Sequence, residues 1–136
     1  MWIMKHESIV VVYDSCQAVA EEIADKLGAE IISVQSLNTR HIANSQSFVL
    51  LLECQADGQL NPHWQYASQT LLGVSLRGKT FALFVVFGTA RDSGSAIESF
   101  CSELRKGGAH IVGDLSYAES PSFHIEEWIC LVSPNL

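Results

Sequence analysis

Asp14, Ser15 and Cys16 follow one apolar run of the chain, Glu53 and Cys54 follow another, and Thr89 and Arg91 follow a third. These residue types do chemistry. Carboxylates bind cations and repel anions, hydroxyls and a guanidinium hold phosphate, and thiols exchange electrons. Each group stands just after an apolar run and before a helical pattern. A helix that begins there presents unpaired backbone N–H groups, which favour anions and phosphate above all. The tightest of these junctions, Asp-Ser-Cys-Gln-Ala-Val-Ala over 14–20, holds no glycine and one hydroxyl. It has the layout of an anion site and little of the chemistry.

Several roles are open at these positions. Ser15 reads either as a phosphate ligand or as the N-cap of the helix that starts here. Cys16 lies in the first turn of that helix, where the helix N-terminus favours a thiolate. Cys16 and Cys54 follow adjacent strands at the same end of the sheet, so they read as a redox pair or as two unrelated small residues. Cys101 and Cys130 read as small buried thiols. The cysteines and the five histidines are scattered without the spacing of a zinc site. His63 and His110 read as surface histidines with no positioned partner. No Ser-His-Asp arrangement, Walker loop or Gly-x-Gly-x-x-Gly occurs, which leaves hydrolase and nucleoside-triphosphatase chemistry without support.

The elements that position these residues alternate in period. Residues 8–13 are a continuous β-branched run, as in a parallel strand buried on both faces. Val19, Ile23 and Leu27, with Ala20 and Ala24 beside them, make one helical stripe that Gly28 closes. A second strand is expected over 30–34, and the polar stretch 35–46 reads as loop with room for one helical turn. The third strand is Ser47–Glu53. Asn61 then caps and Pro62 starts a helix with the stripe Trp64, Ala67/Ser68 and Leu71. A fourth strand over 79–87 precedes a helix carrying Ile97, Phe100/Cys101 and Leu104, ended by Gly107-Gly108. A short fifth strand over His110–Val112 precedes a last helix, opened by Ser120-Pro121-Ser122 and carrying Ile125, Trp128/Ile129 and Val132.

Strands and helices alternating at this spacing predict an α/β protein with a parallel sheet covered on both faces. The 136 residues fit one domain, 1–136, with no repeat and no linker. Five strands in a domain of this size predict a doubly wound sheet of order 2-1-3-4-5. Ligands of such sheets sit beyond the strand carboxyl ends, at the switch point between the first and third. The turns there are 14–19, 54–61 and 88–94.

The chain resembles the flavodoxin family from about Ile9 to Val132. The carriers are Ser15 with Glu21, Ile23 and Ala24 in register, Gly58-Gln-Leu-Asn-Pro-His-Trp64, Leu76-Arg-Gly-Lys-Thr-Phe-Ala-Leu-Phe84, and Phe87-Gly-Thr89. The resemblance implies a flavodoxin-like three-layer sandwich and an electron carrier using flavin mononucleotide (FMN). It maps the cofactor site onto Ser15, Cys16, Gln17, Ala18, Val19 and Ala20, onto Cys54, Gln55 and Ala56, and onto Gly88, Thr89 and Arg91. Ser15 matches the first hydroxyl of the family's phosphate turn. Gln17 and Ala20 replace threonines, and Ala18 replaces the glycine whose missing Cβ lets backbone approach a phosphate. The second and third turns carry no aromatic to grip the ring, and Trp64 reads as core packing. Arg91 is placed to reach a phosphate or a negatively charged flavin, with a solvated loop arginine as the alternative. FMN binding is therefore expected to be weak or absent. The alternatives are a flavin-free binding or regulatory module on the same fold and a thiol-based redox role of Cys16 and Cys54.

Asp14 and Glu53 are expected to face the switch point, adding negative charge where a phosphate would sit. Response-regulator receivers place magnesium-binding and phosphate-accepting acids at such strand ends, with a hydroxyl where Thr89 stands. Here one acid follows the first strand, Glu holds the acceptor position and no lysine ends the fifth strand, so that chemistry is not expected. The formal charge of −7 argues against nucleic acid and anionic membrane, and suits docking to a redox partner with a basic surface. No apolar run approaches the roughly 18 residues of a membrane span, and the N-terminus lacks the pattern of a secretory signal. A cytoplasmic location is the expectation.

Overall fold

The structure, a computed structural model, describes residues 9–53, 59–86, 94–112, 129, 130 and 134. Its elements are β1 (Ile9–Tyr13), α1 (Gln17–Leu27), β2 (Glu30–Ser33), α2 (Thr39–Asn44), β3 (Ser47–Glu53), α3 (Pro62–Leu72), β4 (Thr80–Val86), α4 (Gly94–Lys106) and β5 (His110–Val112). The five strands form one parallel sheet in the order β2-β1-β3-β4-β5.

Alternate strand residues divide the core into two layers. Val10, Val12, Phe48, Leu50, Leu52, Phe81 and Leu83 point to the side covered by α2, α3 and α4, where Trp64, Leu71 and Leu104 are fully buried. Ile9, Val11, Val49, Leu51, Ala82 and Phe84 point to the other side, against Ala20, Ile23, Ala24 and Leu27 of α1. Burial on both faces is why β1 and β3 are unbroken apolar runs. Phe48 and Phe81, paired across β3 and β4, stack with centroids 4.9 Å apart.

The helix ends follow local chemistry. Gly28 closes α1 at φ 68°, its N–H returning to the Ala24 carbonyl. Asn61 caps α3 by accepting from the Trp64 N–H, with Pro62 in the first turn. Gly108 ends α4 at φ 103°, and the Ala109 N–H reaches back to the Leu104 carbonyl.

Three boundaries differ from expectation. β2 stops at Ser33, because Ser33 caps a 3₁₀ turn at Val34–Ser36. The stretch expected as loop with room for one helical turn holds the six-residue α2, stabilised by a capping box in which the Asn38 side chain accepts from the Arg40 and His41 N–H groups and the Asn38 N–H donates to His41 Nδ1. Its one buried side chain, Ile42, anchors it. β4 spans Thr80–Val86, and Phe87 lies outside the described residues. Of the expected last helix, Ile129 and Cys130 are described and helical, with Ile129 packed on the α1 side of the sheet.

Candidate functional site

Parallel pairing of β1 with β3 assembles a polar cluster at the carboxyl edge of the sheet. Val12 is opposite Leu50, and three further residues along each strand bring position 15 level with position 53. The Glu53 carboxylate uses this alignment fully. Its Oε2 accepts the Ser15 N–H at 2.8 Å and its Oε1 accepts the Ser15 hydroxyl at 2.6 Å. One carboxylate thus takes both donors of the residue that follows Asp14. Ser15 is consequently not the helix cap that was one of its two readings. Cys16 holds the N-cap position of α1 and makes no side-chain cap bond. Ser15 instead donates its hydroxyl to the Glu53 carboxylate, a charge-assisted bond.

The next four residues are the opening turn of α1. Gln17 bonds Glu21 at 3.0 Å along its own helix. Ala18 is exposed, Val19 packs at the edge of the α1-side core, and Ala20 is 0% exposed beneath it.

Of the two readings of Cys16, the structure does not favour the thiolate. Its thiol is pushed up from 9.0 to about 11, first by burial and then by the charge of Glu53, with Asp14 adding to it. Two neighbouring carboxylates and partial burial outweigh the helix dipole. Cys101 is half-buried and Cys130 is exposed rather than buried.

Asp14 turns the other way, toward α3. Its Oδ2 accepts from Asn61 Nδ2 at 2.7 Å, and its Oδ1 lies 3.0 Å from His63 Nδ1. Asn61 therefore holds the strand end with its amide nitrogen and caps α3 with its amide oxygen. The Gln35 side-chain nitrogen lies near both ring nitrogens of His63, 2.9 Å from Nε2 and 3.4 Å from Nδ1. His63, 51% exposed, is thus a positioned group and not the unpartnered surface histidine expected. Its position in the first turn after Asn61-Pro62 was a usable signal; its partner, 49 residues away, required the strand order. Ser15 is bonded to Glu53, so Ser15, His63 and Asp14 form no nucleophile–base–acid relay. Among the described residues no three His, Cys, Asp or Glu side chains are grouped to hold a metal ion.

Trp64 is buried edge-on against Phe100, with centroids 6.5 Å apart, so it serves the core as expected. Cys54, Gln55 and Ala56, and likewise Gly88, Thr89 and Arg91, lie outside the described residues. Among the described residues no helix is long and apolar enough to cross a membrane.

The sheet order, the helices on both faces and the polar carboxyl edge define the flavodoxin-like fold. Solved flavodoxins superpose on nearly the whole chain. One from Streptococcus pneumoniae matches with TM-score 0.79 at 15% identity, over 94% of this chain and 99% of its own. Flavodoxin 2 of Bacillus cereus matches at 0.81 and 16%, over 95% and 99%. The Fusobacterium nucleatum flavodoxin bound to flavin mononucleotide matches at 0.79 and 14%, over 94% and 98%. No family model and no curated protein matches the sequence. At these identities the likeness is one of fold.

Proposed function

We propose that this chain is a flavodoxin-like protein whose affinity for FMN is weak or absent, and that it serves as a binding or regulatory module on the fold. The observation that carries the reading is the state of residues 17–20. They are the first turn of α1, and Ala20 faces the core at 0% exposure. A side chain there meets Ile23 and Ala24 of the same buried cluster rather than a ligand. Ala18 brings a Cβ where the family has glycine, and Ala20 a methyl where it has a hydroxyl. Hydrogen bonds to a charged group contribute about 1.5–3 kcal/mol each. Losing two weakens binding by roughly two to four powers of ten at about 1.4 kcal/mol per decade. These residues do not fit the phosphate of FMN.

The acidic balance of −7 supports a protein partner with a basic surface and speaks against nucleic acid. A cytoplasmic location is part of the same proposal. A second reading, an FMN electron carrier docking to such a partner, is favoured by the structural neighbours, which are flavodoxins, one of them bound to flavin mononucleotide. Visible absorbance of the purified protein, followed by FMN titration read by flavin fluorescence, separates the two. A colourless protein with no quenching at tens of micromolar FMN is expected. A yellow protein, or submicromolar quenching, would overturn the proposal in favour of the carrier.

A further inference from the structure

We propose that the amino edge of β4 and β5 is a docking surface for a short acidic segment of a partner protein, gripped by Arg77 and Arg105. Arg77, Lys79, Arg105 and Lys106 are half of the eight Lys and Arg residues in a chain whose formal charge is −7. No Asp or Glu occurs over 73–80 or 104–110. The fold joins these two stretches. The Leu76 N–H donates to the Gly107 carbonyl at 3.0 Å, and β4 then pairs with β5 from Thr80 opposite His110. Gly108 links the two arginines: its N–H donates to the Arg105 carbonyl at 3.0 Å, and a Cβ on it would stand 2.9 Å from Arg77 Cα. Arg77, Arg105, Lys106 and His110 are all exposed. The helix dipole accounts for Arg105 and Lys106 in the last turn of α4. It does not account for Arg77, in the loop before β4. Lys79 Nζ is engaged by the Ser45 carbonyl at 2.7 Å and Lys106 Nζ by Glu103 at 3.2 Å. The guanidinium groups of Arg77 and Arg105 make no ion pair or hydrogen bond with a described residue. Two unpaired planar forks on adjoining segments suit two carboxylates, each taken bidentately.

Charge selects the occupant. A nucleic acid or an anionic bilayer is extended and would also meet the acidic remainder of the surface. A short segment meets this patch alone, since screening confines its field to about 8–10 Å at physiological salt. A second copy offers little at its carboxyl edge, where Glu53 is taken by Ser15 and Asp14 by Asn61 and His63. The patch lies across the sheet from the crevice, so it stands whether or not FMN binds. It adds a face of opposite sign to the acidic one that suits a basic partner.

The probe is fluorescein-labelled hexaglutamate, followed by anisotropy at low salt, beside hexathymidylate and phosphatidylserine vesicles. Saturable hexaglutamate binding that weakens as salt rises is expected in the wild type. Arg77→Gln/Arg105→Gln should lower that affinity at least about tenfold, the scale of one charge-assisted hydrogen bond lost. Arg77→Lys/Arg105→Lys keeps the charge, loses the fork and should fall in between, which guards against a glutamine variant that fails to fold. Arg40→Gln removes an exposed arginine on α2 and should bind as the wild type does. No saturation at millimolar hexaglutamate, an equal loss in Arg40→Gln, or no loss in the double glutamine variant would overturn the proposal. Tighter binding of hexathymidylate or of the vesicles would overturn it by giving the patch to a different occupant. Self-association that the double glutamine variant abolishes would do the same. None of these outcomes bears on FMN affinity, so the weak-FMN reading stands or falls separately.

Discussion

Cys16 should be an unreactive thiol despite standing at a helix N-terminus. Its pKa is pushed from 9.0 to about 11, so at pH 8 the thiolate fraction falls from about a tenth to about a thousandth. Per thiolate, nucleophilicity rises with basicity, and a Brønsted slope of 0.4–0.5 over two units returns about eightfold. Alkylation at pH 8 should therefore be about tenfold slower than for the same chain in urea. The assay is the pH profile of the iodoacetamide rate, read by mass spectrometry with serine at positions 54, 101 and 130. The folded profile should bend near 11. Glu53→Gln should move the bend down only part of the way, because burial is the larger cause and Glu53 the second. The linkage has a definite sign. A thiol whose folded pKa is raised contributes stability that is fully present below 9.0 and is lost as pH climbs toward about 11. A bend at or below 9 would refute the account of the site's electrostatics. It would also restore the thiolate that a redox pair with Cys54 requires.

Two further substitutions probe the frame around the site. Ala20→Thr, which restores the family's hydroxyl, should destabilise the fold by about 1–3 kcal/mol through overpacking of a fully buried position and leave FMN affinity unimproved; urea denaturation with FMN titration checks both. Gly108→Ala should cost about 1–3 kcal/mol or more, because a Cβ at φ 103° would stand 2.9 Å from Arg77 Cα. A thermal melt indistinguishable from wild type would contradict the close approach of these two segments.

Much of the frame is legible without coordinates. Residues 9–12 and 48–52 announce two-sided burial by being apolar at every position, and the structure shows β1 and β3 buried throughout their centres. Asn61 and Pro62 mark the start of α3 because capping is a local event within four residues. Local chemistry was also underestimated. The Asn38 capping box lay in view, but the polar stretch around it offered only Ile42 as an apolar anchor.

The site was legible only in part. Asp14 and Glu53 were expected at the switch point, and both are there, since the end of a strand is a position the periodicity marks. From their own neighbourhoods Ser15 reads as cap or phosphate ligand, Cys16 as thiolate or unrelated small residue, and His63 as a surface group. Residues distant in sequence act on all three: Glu53 accepts from Ser15 and, after burial, raises the Cys16 thiol, and Asp14 bonds His63.

By itself, then, the amino-acid sequence determined the order and type of the elements, the acidic balance and the absence of glycine and of all but one hydroxyl at the first turn. These follow from periodicity, composition and short-range capping, which need no knowledge of what the chain folds against. Only the tertiary structure decided which carboxylate meets which donor. Partners 38 and 49 residues apart are brought together by parallel register and strand order. Their hydrogen bonds and charges act over a few ångströms, so a side chain's chemistry is set by neighbours that sequence distance does not reveal.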